Sequence, residues 1–373
     1  MTSESQGPLL GVRVVELAAQ GPAPFCGMML SDMGADVVRI DRPNAAMQRE
    51  LGILERGRRS VMLDLKSPSE RQAALGLIAK ADILIEGYRP GVMERLGLGP
   101  DVALGINPTL VYGRMTGWGQ SGPIAPKGGH DLNYVAMSGA LHMIGPKERP
   151  MSPLNLVGDY GGGGTFLTMG VLAALVHARR TGQGQVVDAS MIDGISTLMA
   201  ANYGSLASGR LVEEREANGL NGSSPWGNVY RCSDGHFIAF QAYEPQFYRE
   251  MLSGLGLGDD PLFEPQHDAA VWPEQRARIA AVVETRSRAE WTEHFADSDA
   301  CFSPVLTMSE AQRHPHMRAR DAFQLSDDML QPAPAPRFSA TPGAIAGPQR
   351  PAGADQQEVF RSWNVAEPKE AVR

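Results

Sequence analysis

The stretch 128–164, GGHDLNYVAMSGALHMIGPKERPMSPLNLVGDYGGGG, holds a histidine and an aspartate beside glycines. His130 follows two glycines, and Asp159 is followed, after Tyr160, by the run Gly161 to Gly164. Imidazoles and carboxylates are side chains that take and return protons, and glycines let a ligand approach the backbone closely. The glycine run feeds into an apolar segment, Thr165 to His177, closed by Arg179, Arg180 and Gly182. Near-helical spacing, basic residues in the last turn and a terminal glycine predict a helix there. Asp159 then lies at or just before the helix N-terminus, where free N–H groups favour an anion. A plain N-cap aspartate with glycines that serve packing is the alternative. Each glycine in a helical turn costs roughly 0.5–1 kcal/mol relative to alanine, so a run of them points to a use for exposed backbone.

The elements that position these residues follow from composition and pattern. A chain of 373 residues is long enough for two domains and a large core. Hydrophobic residues at 43% and charged residues at 20% are ordinary for a soluble globular protein. The net charge of −8 argues against nucleic-acid binding through a general basic surface, so an anionic ligand needs a local arginine cluster. Cys26, Cys232 and Cys301 are widely spaced without a CxxC, which suggests neither a disulfide framework nor a zinc or other metal site. The N-terminus has no basic region followed by an apolar run, no uninterrupted apolar stretch reaches membrane-spanning length, and the end EAVR is no peroxisomal signal. A cytosolic, membrane-free protein is expected.

Along the chain, Val12–Leu17, Val37–Ile40, Ile83–Ile85 and Leu110–Tyr112 read as short apolar strands. Ser67 and Pro68 open a helix reaching about Ala79. Strands alternating with helices predict an α/β fold with a parallel sheet, like a Rossmann domain. The first turn, AAQGPAPFCG, is not GxGxxG, so a nicotinamide or flavin dinucleotide site is not supported. Past 186–194 a helix to about Ser208 and a polar, glycine-rich stretch to Pro225 follow. Asn228–Arg231 and His236–Gln241 then flank Ser233-Asp234-Gly235, a hairpin signal. Helices are predicted from Pro245 to Leu252, from Pro273 to Glu284, and from the capping box Ser287–Glu290. This second region reads as a smaller α+β domain. Residues 331–353 are rich in proline and alanine and suit an extended crossing, with a last helix at about Ala354 to Trp363.

These pieces, taken in order, resemble the α-methylacyl-CoA racemases within the family III CoA-transferase superfamily. The resemblance covers nearly the whole chain. It is carried by GVRVVELAAQGPAPFCGMMLSDMGADVVRIDRP, RGRRSVMLDLK, IEGYRPGVMERLGLGP, YGRMTGWGQSGP, GGHDLNYVAMSG, VGDYGGGG, VDASMIDG, DGHFIAFQAYEPQFY and CFSPV. It implies a large Rossmann-like domain from residues 1–190 completed by 335–373, a linker over 191–224, a small α+β domain over 225–325 and a return linker over 326–334. It also implies an interlocked homodimer in which each active site lies between the large domain of one subunit and the small domain of the other.

The activity implied is epimerisation of 2-methylacyl-CoA thioesters, with coenzyme A as part of the substrate and no separate cofactor. Moving a proton from one face of a carbon beside a thioester to the other needs two opposed bases and a group that holds the enolate oxygen. By resemblance His130 takes the proton of the (2S) epimer and Asp159 that of the (2R) epimer. Glu244 would hold the imidazole from the partner subunit, fixing its tautomer. The resemblance places Arg39, Arg58, Arg89, Gly129, Asp131 and Tyr134 at the coenzyme, with Arg42, Arg59 and Arg114 as further candidates. The backbone N–H of Asp159, with Gly161 and Gly162 beside it, is the expected oxyanion site. Met191 and Met199 are either acyl-chain contacts or ordinary core residues. A CoA-transferase with Asp159 as nucleophile and a non-catalytic acyl-CoA binder are the competing readings. His130 speaks against the first, and the intact set His130, Asp159 and Glu244 against the second.

Overall fold

The β-branched runs form the centre of the structure, a computed structural model that describes residues 6–43 and 52–368. The chain separates into two compact units. The first comprises residues up to Ser138, Pro153–Met199 and the chain from Arg318 onward. The second comprises Gly139–Ser152 and Ala200–Met317. The crossings thus fall after Met199, within the expected linker 191–224, and before Arg318, ahead of the expected return linker 326–334, and Gly139–Ser152 cluster with the second unit. The expected linkers contain regular structure, including helices Met191–Leu198 and Ala200–Ala207 and strand Met329–Pro332.

The first unit is built on β1 (Arg13–Leu17), α1 (Pro22–Asp32), β2 (Asp36–Asp41), β3 (Arg59–Met62), α2 (Pro68–Ile78), β4 (Ile83–Glu86), α3 (Val92–Arg95), α4 (Pro100–Ile106) and β5 (Val111–Thr116). It continues through α5 (Asp131–Met137), a π-helix at Leu156–Thr165, α6 (Phe166–Thr181), β6 (Gln185–Ser190) and α7 (Met191–Leu198). The six strands form one parallel sheet in the order β3-β2-β1-β4-β5-β6, with Val14 opposite Val37 on one side and Ile83 on the other. Strands buried on both faces carry unbroken apolar runs, and β4, ILIE, is buried throughout. The order reverses between β1 and β4, and in such sheets the crevice beyond the strands' carboxyl ends at this switch point is the usual ligand site.

Two strands, β3 and β6, lie outside the sequence expectation because RSVM and QVVDAS mix polar residues into short runs. The expected helix from Thr165 to His177 begins earlier, as the π-helix, and runs into α6 with its cap at Gly182 in the left-handed region (φ 73°). The combined run Leu156–Thr181 is long and apolar enough by composition to span a membrane, although Asp159, Arg179 and Arg180 interrupt it. Half of its most apolar window is buried within the protein, and α6 packs against β5 and β6 as a core helix.

The second unit holds α8 (Ala200–Ala207), β7 (Gly227–Arg231), β8 (Phe237–Gln241), α9 (Pro245–Leu255), α10 (Trp272–Val283), α11 (Arg288–His294), β9 (Phe302–Pro304) and α12 (Met308–Arg313). The predicted hairpin is present, with Arg231 opposite Phe237 and Gly235 at positive φ in the turn, and β9 adds a third antiparallel strand. The Ser287–Glu290 capping box forms. After α13 (Pro315–Ala319), the chain makes a hairpin of β10 (Phe323–Ser326) and β11 (Met329–Pro332). The proline-rich segment then runs along the first unit, its Gln349 accepting the Gly52 N–H at 2.7 Å. It ends in α14 (Gln356–Trp363), which buries Val359, Phe360 and Trp363 in the sheet's core.

Candidate active site

Within the first unit a cleft of about 1220 Å³ opens at the switch point. Three strand ends supply its floor: Ala18–Pro22 after β1, Gly87–Pro90 after β4, and Gly117-Trp118 after β5. Gly128, Gly129, His130 and Tyr134 come from the start of α5, and Asn155, Asp159 and Tyr160 from the start of the π-helix. The two titratable residues singled out from the sequence therefore face one cleft.

His130 is the N-cap of α5 and is exposed; its backbone N–H donates to Asn133 Oδ1 at 3.0 Å. Asp159 is half-buried in the first turn of the π-helix. Its carboxylate accepts from Asn155 Nδ2 at 3.4 Å and lies over Gly21, where a Cβ would come within 3.3 Å of Oδ2. Gly21 also has φ of 68°, so both backbone and neighbour call for glycine at this end of β1. Burial pushes the Asp159 carboxyl above the usual carboxylate range. The charge of Asp131 adds to that push, while the Asn155 hydrogen bond and His130 oppose it. Tyr134 stands edge-on to Trp118, with ring centroids 4.6 Å apart. A Cβ at Gly117 or Gly129 would come within 2.0 or 2.8 Å of its ring, so both glycines admit it. Burial, then Asp159, pushes the Tyr134 hydroxyl upward, against the pull of Arg89.

Several expected contacts take a different form. The Asp159 N–H, expected as the oxyanion donor, donates instead to Asp131 Oδ1 at 2.7 Å. That bond also engages the Asp131 carboxylate, which was expected at the coenzyme. Gly161 and Gly162 do not line the cleft. They are close-packing positions: a Cβ on Gly161 would meet the Leu156 carbonyl at 2.9 Å, and one on Gly162 the Ile195 nitrogen at 2.8 Å. Gly163 and Gly164 likewise press on Met191, Pro22 and Phe25. The run lets the wide π-helix approach α1 and α7, which is the packing alternative.

Arg39 and Arg58 are also corrected, because both are buried beneath the surface with their donors occupied. Arg39 is 1% exposed and pairs with Asp41 at 2.8 Å and Glu55 at 3.1 Å, and it donates to the Arg350 carbonyl. Arg58 pairs with Glu16 at 2.9 Å, both side chains fully buried, and donates to the Leu54 and Pro24 carbonyls. Arg114 is held by Glu86 and Glu94, and Arg59 by Asp36. Arg42 and Arg89 line the cleft without a carboxylate partner among the described residues. The Arg42 guanidinium stacks 5.0 Å from the centre of the Tyr88 ring, and Arg89 lies over Gly128. Lys127 adds a third cation. Of the two methionines, Met191 lines the cleft. Glu244 lies in the second unit, exposed as the N-cap of α9.

Tyr88, Trp118, Lys127 and Asn155 belong to the cleft but were not singled out from the sequence. The available signal was a glycine after each of β4 and β5, in EGYRP and TGWG, marking where these strands end and the switch-point loops begin. Among the described residues no group of three or more His, Cys, Asp or Glu side chains is arranged to hold a metal.

Residues 9–356 match the sequence pattern of CoA-transferase family III. The chain is 42% identical over 362 residues to the α-methylacyl-CoA racemase of Mus musculus, an alignment covering 96% of this chain and 94% of that protein. It is 30% identical over 385 residues to the succinyl-CoA–D-citramalate CoA-transferase of Chloroflexus aurantiacus, covering 95% and 93%. A solved CAIB/BAIF family protein from Brucella suis shares the fold with a TM-score of 0.81 at 24% identity, over 96% of this chain and all of that one (100%).

Proposed function

Since the chain belongs to CoA-transferase family III, we propose that it epimerises 2-methylacyl-CoA thioesters by moving a proton between the two faces of the α-carbon. The observation that carries this is His130 and Asp159 opening on one cleft from two separate helix starts. Alignment with the racemases along nearly the whole chain supports the choice of substrate class.

From the (2S) epimer His130 takes the α-proton, leaving an enolate of the thioester, and a protonated Asp159 delivers a proton to the other face. The reverse direction exchanges the roles. An exposed imidazole suits proton exchange with solvent. A carboxyl pushed upward by burial holds a proton more readily than a solvated one, which suits Asp159 as the returning acid. With the Asp159 N–H occupied, the enolate oxygen is assigned to the Asp131 and Leu132 amides at the start of α5, which have no acceptor among the described residues, unlike those of Asn133 and Tyr134. Arg42, Arg89 and Lys127 supply positive charge for the coenzyme's phosphates. Glu244 is assigned to a second copy's His130, so a homodimer is part of the proposal. No cofactor is invoked beyond the coenzyme A carried by the substrate.

The test is incubation of one 2-methylacyl-CoA epimer in deuterium oxide without any second acid. Deuterium should enter the α-carbon and the epimers should converge. A transferase would show no exchange, would require an acceptor acid, and would pass through an adduct on Asp159 that hydroxylamine traps; that outcome replaces the racemase with the transferase.

A further inference from the structure

We propose that Asp131 is a positioning residue whose carboxylate ties the helix start that carries Asp159 to the helix start capped by His130, and so sets how the two bases face each other. The proposal rests on the two-base reading above. His130 and Asp159 sit on separate helices joined by a long connection, Ser138 to Asn155, part of which clusters with the second unit. Their relative placement therefore needs a direct link. Asp131 is the residue after His130, and its Oδ1 accepts the Asp159 backbone N–H at 2.7 Å. His130 is held from its other side by the 3.0 Å bond from its N–H to Asn133 Oδ1. The chain Asn133–His130–Asp131–Asp159 thus fixes the backbone at both bases, and both residues line the cleft.

A second, independent feature is shaped around the same carboxylate. A Cβ on Gly158, the residue before Asp159, would stand 2.2 Å from Asp131 Oδ1. Glycine is the residue that leaves room for the carboxylate to reach the amide. The choice of aspartate has a further consequence. A neutral asparagine could accept the same N–H, whereas aspartate brings a negative charge to Asp159. The groups bearing on Asp159 are Asp131 and His130 from the start of α5, Asn155 from the π-helix N-cap, and Tyr134 across the cleft with Arg89 beside it. Asp131 alone among the carboxylates in that set adds to the tendency of Asp159 to hold its proton.

Two substitutions separate the tie from the charge. Asp131→Ala removes both. Turnover should fall on the order of 10²-fold with little change in KM, as for a small misplacement of reacting groups. The Asp159 amide should lose protection in hydrogen–deuterium exchange while α6 keeps its own. Asp131→Asn keeps the acceptor, so the amide stays protected and most turnover survives. With the (2R) epimer as substrate, from which Asp159 takes the proton, its acid limb in kcat/KM should move to lower pH, because removing the neighbouring charge makes the Asp159 carboxyl easier to ionise. Gly158→Ala, which displaces the carboxylate without deleting it, should reproduce the loss of protection. Unchanged protection at Asp159 in Asp131→Ala, or an acid limb unmoved with the (2R) epimer in Asp131→Asn, overturns the proposal. Failure of the wild-type protein to exchange its substrate's α-proton would sink the racemase reading instead, and the amide protection still tests the tie.

Discussion

Gly162→Ala decides whether the glycine run serves packing or a ligand. The new Cβ would stand 2.7 Å from Ile195 Cγ1, 2.8 Å from the Ile195 nitrogen and 3.1 Å from the Met191 carbonyl. Two of these are backbone atoms of α7, which cannot rotate aside, so the π-helix and α7 must separate. Overpacking of this kind costs about 1–3 kcal/mol. The alanine recovers about 1 kcal/mol through helix propensity, for a net loss of up to roughly 2 kcal/mol. At about 2–4 °C per kcal/mol for a unit of this size, the melting temperature should fall by up to roughly 8 °C. Gly105→Ala in α4 is the control, since nothing lies within 4 Å of its Cβ. It should stabilise by about 0.4–1 kcal/mol by restricting the unfolded chain. Both are read by thermal unfolding, with acyl-CoA affinity measured on the folded fraction. Should Gly162→Ala melt at or above the wild-type temperature while losing affinity for acyl-CoA, the packing argument is wrong and the backbone serves the ligand.

Three further outcomes follow from the arrangement of charges. Arg58→Ala leaves Glu16 buried without its partner and should cost about 3–5 kcal/mol in urea unfolding. Burial already raises the Glu16 carboxyl, so the deficit should shrink as pH falls and Glu16 takes a proton; a deficit that grows on acidification contradicts this. Arg89→Ala, by contrast, should leave the melting temperature nearly unchanged and raise KM for acyl-CoA by roughly 10–100-fold, the value of about 1.5–3 kcal/mol for hydrogen bonds to a charged group. The reverse pattern, lost stability with normal KM, would place Arg89 in the structural set. Asp159→Asn should abolish turnover yet raise the melting temperature at neutral pH. The folded-state carboxyl is raised by burial, so ionising it weakens the fold as pH rises through that value. The two proteins should converge below about pH 4, where the carboxyl is protonated in both states; a gap that persists there argues for another cause.

Local chemistry made much of the architecture legible. VRVVEL, DVVRID and ILIE announce buried parallel strands, Ser67-Pro68 a helix start, and Ser233-Asp234-Gly235 a hairpin turn, because each signal lies within a few residues of the element it forms. His130 and Asp159 were legible as chemical types beside glycines, and the sequence alone carried the family pattern over 9–356. Tertiary structure decided which charges are spent. Arg39 and Arg58 look like phosphate ligands beside strands, yet they are consumed by Glu55 and Glu16 and by carbonyls as distant in sequence as that of Arg350. Arg42 and Arg89, equally plain in the sequence, keep their charge for the cleft because they follow the carboxyl ends of β2 and β4, on either side of β1. The glycine run and Asp131 divide in the same way. Whether Gly162 meets a ligand or α7, and whether Asp131 meets coenzyme or the Asp159 amide, depends on which segments the sheet brings within a few ångströms, and no local pattern of residues encodes that distance.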